Sequence, residues 1–381
     1  MKPETTDDVI DLIFDAMRAN ETLEIRGGGS KTDIGAPREA AILDMTGFNA
    51  VIDYDPPELV LTAGAGTPLS VIEALVDAEG QQLAFEPFDH GPLFGRPAGA
   101  ATIGGVIAAG VAGSRRLSAG GARDHLLGFE AVSGRGERFV AGAKVVKNVT
   151  GYDLPKLAAN SWGRLFAMTE VTLKVLPKGR ERLTLALDGL TPKAAQAALA
   201  RALAAATDIQ AAAVIPGARS SLTAVRLEGF GPSIAARAEM VRSLWSDLGA
   251  TLALAADDGD ALWDDLKTLA PLDDGRPLWR VNTPPSGGPL MVEALVPLGA
   301  RWLFDWGGGL TWLTFDGDPS QVRDAAVAAG GHAMLVRADE TLRAATPALH
   351  PLPEGVAKLE ERIRRAFDPS RVLETGRFHA D

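Results

Sequence analysis

What most limits how this chain can fold is the run Ile25-Arg26-Gly27-Gly28-Gly29-Ser30-Lys31-Thr32-Asp33-Ile34-Gly35. Leu23-Glu24-Ile25-Arg26 reads as a strand that delivers the chain into it. Three consecutive glycines remove three Cβ atoms, so left-handed backbone becomes accessible and a ligand can approach the main chain closely. Successive N–H groups in such a loop form an anion-binding concavity, and Ser30 and Thr32 add hydroxyl donors. Two readings fit these residues: a diphosphate cradle, or a tight strand-to-strand turn. The run is neither G-x-x-x-x-G-K-[ST] nor G-x-G-x-x-G, so it is not a P-loop or a Rossmann fingerprint.

With 381 residues the chain can hold two domains. Its net charge of −11 argues against a nucleic-acid or anionic-membrane surface. It has no cysteine, which excludes disulfides, thiolate nucleophiles, zinc ribbons and iron–sulfur clusters on this chain. The acidic start, Met1 to Asp8, lacks a signal-peptide layout. The uncharged run Pro97 to Ser114 is too rich in glycine and alanine for a membrane span once Arg96 and Arg115 are seen to bound it. The expectation is a cytoplasmic protein without membrane insertion, docked at the inner face of a membrane only through partners.

A first helix is expected after a Thr6 cap, burying Val9, Ile10, Ile13 and Met17. Strands follow at Ala41 to Met45 and Leu59 to Ala63. A helix capped by Thr67, with Pro68 at its first position, ends at Gly80, and a strand runs from Gln82 to Phe85. A second stretch of small residues, Gly99 to Ser114, contains a short helix capped by Thr102 whose glycine and alanine face lets a flat group or another backbone approach. Strands at Leu126 to Val132, Arg138 to Ala141 and Phe166 to Leu176 lead to the breaker-rich Pro177-Lys178-Gly179-Arg180, the first domain boundary. Beyond it the order is β-α-β-β-α-β, repeated once after a helix at Leu262 to Leu269. Two such units side by side make one broad antiparallel sheet with helices on one face. The expected division is 1–177, 178–355 and a C-terminal helix and tail at 356–381.

Four motifs, in order, carry a family resemblance: Arg26-Gly27-Gly28-Gly29-Ser30; Ala101-Thr102-Ile103-Gly104-Gly105; Gly121-Ala122-Arg123-Asp124; and Gly163 with Thr169-Glu170-Val171-Thr172-Leu173-Lys174. They resemble the FAD-binding domain of the vanillyl-alcohol-oxidase/PCMH superfamily. Lys147 to Leu154, Asp305-Trp306-Gly307-Gly308, Gly330-Gly331-His332-Ala333 and Phe367-Asp368-Pro369 narrow the likeness to the FAD-binding subunits of bacterial glycolate oxidases, over nearly the whole chain. The resemblance implies an α+β fold: a PCMH-type FAD-binding domain of two subdomains, then an antiparallel-sheet cap of ferredoxin-like units. It implies that Gly27 to Ser30, flanked by Arg26 and Lys31, hold the FAD diphosphate. Ala101, Thr102, Gly104, Gly105, Ala108, Gly113 and Asp124 would lie along the cofactor, and the peptides near Met168 would meet the flavin ring. Ser30 stands where covalently flavinylated relatives carry histidine, so FAD is expected to be non-covalent. Glu374 and Thr375 replace the family's usual Asn and Pro in the tail, which puts a tail contact to the flavin in question.

Oxidation of a 2-hydroxy acid needs a cation for the carboxylate and a base for the hydroxyl. The weak candidates are His332, Arg115 and Arg280; for Arg115-Arg116 a solvated surface pair is the competing reading. Trp279, Trp302 and Trp306 could line the flavin's open face or belong to the core. No His-x-Gly-Asp-Gly-Asn metal motif appears, and no metal site is expected. The implied function is the FAD-binding subunit of a glycolate oxidase complex, oxidising a small 2-hydroxy acid with a second FAD-linked subunit and an iron–sulfur subunit, and unable to turn over glycolate alone. The alternative is a non-catalytic, flavin-bearing structural subunit. A stand-alone oxidase is disfavoured by the missing catalytic constellation.

Overall fold

The computed structural model describes residues 1–142, 153–217 and 220–378. The motif residues Lys147 to Tyr152, and His379, lie outside them.

The first helix spans Thr6–Ala19, and its cap is Thr5 rather than Thr6. Thr5 Oγ1 accepts from the Asp8 N–H while the Asp8 carboxylate accepts from the Thr5 N–H, a closed capping box. Thr6 uses its hydroxyl on Glu130 instead (2.8 Å). Val9, Ile13 and Ala16 are buried against a parallel strand pair, Leu23–Arg26 and Ala41–Asp44. Thr67 is likewise not a cap: its hydroxyl donates to the Ala50 carbonyl, and the helix Leu69–Ala78 starts after Pro68 with no side-chain cap. The strand expected from Gln82 to Phe85 is only Gln81–Gln82, because its partner Leu176–Pro177 is two residues long. Behind these lies a five-stranded antiparallel sheet in the order Val51–Asp55, Val60–Gly64, Phe166–Lys174, Leu126–Ser133, Arg138–Gly142.

The remaining strands form one antiparallel sheet of eight. Its first unit has strands Glu181–Asp188, Ala211–Pro216, Ser221–Gly229 and Leu252–Ala253; its second has Leu278–Asn282, Arg301–Asp305, Leu310–Thr314 and His332–Arg337. In each unit the spatial order is fourth, first, third, second, and the two units join through their second strands at Val214 and Phe304. Helices Pro192–Ala204 and Gly231–Leu244 cover one face of the first unit. Gly288–Leu295 and Pro319–Ala328 cover the same face of the second.

The other face of this sheet, bare but for the helix Ala256–Thr268, closes over the N-terminal region. Ala211, Ala213, Ala224, Leu278 and Leu303 share one apolar core with Leu61, Phe85 and Phe129. An ion network is embedded in that contact. Arg226 bridges Glu86 and Glu228, and Arg115 meets Glu228 (3.1 Å) and Gln210 (3.0 Å). The helix Glu354–Phe367 then returns to the N-terminal region, where Arg164 pairs with Glu360 (2.7 Å) and Arg135 donates to the Ala366 carbonyl (2.9 Å).

Removing one member of a buried ion network strands its partners, at about 3–5 kcal/mol. Arg226→Met is therefore expected to lower stability by about that much in urea unfolding. A loss under about 1 kcal/mol would mean that the network is not what holds the sheet to the N-terminal region.

Candidate functional site

The strand Leu23–Arg26 ends in an open cleft. One wall is the glycine loop, and the other is the helix Ile103–Ala109 with Thr102 as its cap. The walls touch at their base through missing side chains. A Cβ on Gly27 would sit 2.1 Å from Thr102 Oγ1, and one on Gly28 would sit 1.7 Å from the Ala100 carbonyl oxygen. Gly29 has φ +78°, which an L-residue rarely adopts. Gly104 in turn sits against the Ala65 backbone, where a Cβ would approach the carbonyl oxygen to 2.7 Å. Three of these glycines thus serve contact between two protein segments, while Gly105 would meet only the Thr102 hydroxyl (3.2 Å).

The cleft is charged at the loop and apolar beyond it. Glu24 pairs with Arg38 (2.7 Å) and Arg26 (3.2 Å). Lys31 and Arg377, both lining the cleft, enter no ion pair among the described residues. Lys31 Nζ reaches only the Ser30 hydroxyl (3.2 Å), and burial pulls its pKa down to about 8. Asp89, whose field opposes that shift, spends its carboxylate on the N–H groups of Gly91, Gly99 and Ala101. Arg377 lies over Trp162 (5.0 Å) and donates to the carbonyls of Ile34 and Lys31; burial, with Arg38 nearby, brings its pKa to about 9. A buried lysine and a half-buried arginine, neither paired with a carboxylate among the described residues, fit a dianionic ligand. Met45, Ala65, Ala108, Ala109, Phe166 and Met168 make an apolar bed beside them. A diphosphate joined to a flat ring system suits both halves, so the residues present fit FAD.

Of the residues singled out from the sequence, Arg26 to Lys31, Thr102, Gly104, Gly105, Ala108 and Met168 meet in this cleft. Ala101 is buried behind it. Gly113 instead accepts the Trp306 indole N–H at its carbonyl (3.0 Å), and Asp124 accepts the Gly121 N–H (2.8 Å) to close a local turn. Arg377 and Trp162 complete the cleft from segments far away in sequence. The carboxylate of Glu374, which made a tail contact questionable, is turned away from the cleft and neutralised by Arg364 and Arg164.

The three catalytic candidates lie elsewhere. Arg115 is buried in the ion network and is no surface residue, whereas Arg116 beside it is exposed. Arg280 donates to Asn282 Oδ1 (2.9 Å) on the face of the eight-stranded sheet that closes over the N-terminal region. His332 pairs with Asn282 across neighbouring strands and so shares that face. Burial, with Arg280 and His350 nearby, holds the His332 imidazole below its usual pKa. Among the described residues no three His, Asp or Glu side chains could share a metal ion, and no helix is long and apolar enough to cross a membrane.

The known proteins this chain is similar to agree with the cleft. Residues 1–142 match the family model of an FAD binding domain. The solved structure of p-cresol methylhydroxylase with substrate bound superposes with TM-score 0.72 at 14% identity, over 99% of this chain and 88% of that one; the likeness shows a common fold. Fold and cleft define an FAD-binding flavoprotein of the PCMH type. Over 375 residues the chain is 32% identical to glycolate oxidase subunit GlcE of Escherichia coli (strain K12), covering 98% of this chain and 97% of that one. The chain belongs to the GlcE family of glycolate oxidase subunits. A D-lactate dehydrogenase of Archaeoglobus fulgidus is 32% identical over 190 residues, 49% of this chain and 40% of that one.

A side chain at Gly28 must push the loop off Ala100 and open the base of the cleft. Gly28→Val is expected to express but to purify without FAD absorbance; full flavin occupancy would show that the loop does not shape the cofactor site.

Proposed function

We propose that this chain is the FAD-binding subunit of a glycolate oxidase complex that oxidises a small 2-hydroxy acid. Its partners would be a second FAD-linked subunit and an iron–sulfur subunit. The observation that carries the reading is the cleft whose buried Lys31 and half-buried Arg377 have no carboxylate partner among the described residues. In this reading the Gly27 to Ser30 loop and Lys31 take the diphosphate, and Arg377 neutralises it from the tail. Thr102, Gly105 and Ala108 run along the cofactor, and Met168 lies beside the ring. FAD supplies the two-electron acceptor when bound; the protein excludes water around it and fixes its charge. A chain without cysteine holds no iron–sulfur cluster of its own, and in this reading the iron–sulfur partner is the downstream acceptor.

The test is purification of the tagged chain alone and with its native partners. The isolated chain is expected to carry flavin bands that acid precipitation releases to the supernatant, because Ser30 offers no covalent link. Glycolate-dependent dye reduction at catalytic rates is expected only with partners. Colourless protein that still supports an active complex would favour the structural-subunit alternative.

Lys31 adds a pH dependence. In the free cleft its pKa is about 8, and a bound diphosphate favours the charged form and raises it. FAD binding therefore takes up a proton above that pH. Affinity for FAD is expected to be flat below about pH 7 and to weaken above about pH 8, by up to about tenfold per unit. Fluorescence titration of FAD against pH measures this, and Lys31→Met should remove the slope.

A further inference from the structure

A second cationic site lies where the eight-stranded sheet meets the N-terminal region. The guanidinium of Arg116, from the short helix Arg116–Ala119, sits over the Trp306 ring at 4.4 Å. The guanidinium of Arg280, from the sheet, sits over the same ring at 5.2 Å. Both arginines are at least partly open to solvent. The Arg116 side chain makes no hydrogen bond or ion pair among the described residues, and the Arg280 guanidinium donates only to the neutral Asn282 Oδ1.

The surrounding interface does not treat its other arginines this way. Arg115, next to Arg116 in sequence, and Arg226, in the first unit of the sheet, are matched to Glu86, Glu228 and Gln210. Asp305, next to Trp306, spends its carboxylate on the Ser114 hydroxyl (2.8 Å) and the Trp306 N–H (2.7 Å). Burial first, and then the repulsion of Arg116, bring the Arg280 pKa down to about 10, with the field of Asp305 opposing the shift. Two like charges held on one indole destabilise each other unless an anion joins them.

The position of that indole is also unusual. Trp306 has φ +53°, uncommon for a bulky residue and of the kind found at binding sites. It is pinned there by Asp305 and by its own N–H to the Gly113 carbonyl (3.0 Å). Trp312 and Met334 flank Arg280 in register on the same sheet face and supply apolar walls. The recess is close to the cofactor cleft: buried His90 is depressed by the fields of both Lys31, in the cleft, and Arg280.

We propose that the recess between Arg116, Trp306 and Arg280 binds the carboxylate of a small 2-hydroxy acid on this chain itself. Guanidinium forks match a planar carboxylate, and the apolar walls favour an organic acid over an inorganic anion. The identity of the acid rests on the proposed oxidoreductase function; the anion site rests on the geometry alone. The site revises the expectation that carboxylate binding falls wholly to a partner, and it names Arg116, not Arg115, as the companion of Arg280.

The test is calorimetric titration of the full chain, loaded with FAD, with glycolate and separately with inorganic phosphate. Saturable glycolate binding is expected, weakened about ten- to hundredfold by Arg116→Gln or by Arg280→Gln, the loss of one charge-assisted contact. Exposed Arg116 can be replaced without disturbing the core, so melting temperature and flavin content of that variant should stay at wild-type values. If Arg280→Gln unfolds, Arg280→Lys keeps the charge without the fork, and its affinity should still drop about tenfold. The proposal is overturned if wild type shows no saturable glycolate binding, if neither arginine substitution changes it, or if phosphate binds and glycolate does not. Flavin content of the same samples tests the cofactor separately: a chain that cannot be loaded but binds glycolate through these arginines keeps the anion site and sinks the flavoprotein reading.

Discussion

The contact on which the molecule depends is the one between two chain segments at the base of the glycine-loop cleft. Gly28 lies against the Ala100 carbonyl and Gly27 against the Thr102 hydroxyl, at separations that leave no room for a Cβ. This apposition sets the glycine loop beside the helix Ile103–Ala109 and leaves the charged end of the loop facing an apolar bed. The glycines are thus required first by protein packing, and the space for a ligand follows from it. A loop chosen only for contact with phosphate would tolerate small side chains on its far side; this one does not.

The eight-stranded sheet adds a second level of organisation. Four of its helices lie on one face; the other carries only the helix Ala256–Thr268, and the N-terminal region supplies the rest of its cover. Burying charged side chains in that contact is unfavourable unless each is matched. Arg115, Arg226, Glu86 and Glu228 meet that condition. Arg116 and Arg280 do not, and the difference within a single interface marks them out more clearly than their residue type.

Much of this was legible in the sequence, because it is local or periodic. The glycine loop, the Thr102 cap and the doubled β-α-β-β-α-β order all depend on neighbours in the chain. The capping errors at Thr6 and Thr67 have one cause: a hydroxyl was assigned to the nearest helix end when a distant acceptor, Glu130 or Ala50, took it. The strand Val51–Asp55 was missed because it lies at a sheet edge with four of its five residues exposed, so it lacks the alternation of a half-buried strand. Arg377, Trp162 and Phe166 carry no local signal that they converge on the loop. Arg115 and Arg116 are adjacent and chemically identical, and only the tertiary fold decides that one is buried and paired while the other is open.

The position of Arg377 has a consequence for how the protein is made. Its guanidinium holds the carbonyl of Lys31, 346 residues earlier. The whole sheet domain must therefore be synthesised, and the tail brought back across the N-terminal region, before the cleft has its full complement of charge. A nascent chain that has finished only its N-terminal region presents an incomplete, weakly attracting pocket. If the cleft takes FAD as proposed, a chain whose tail has not returned would hold the cofactor more weakly than one whose tail has.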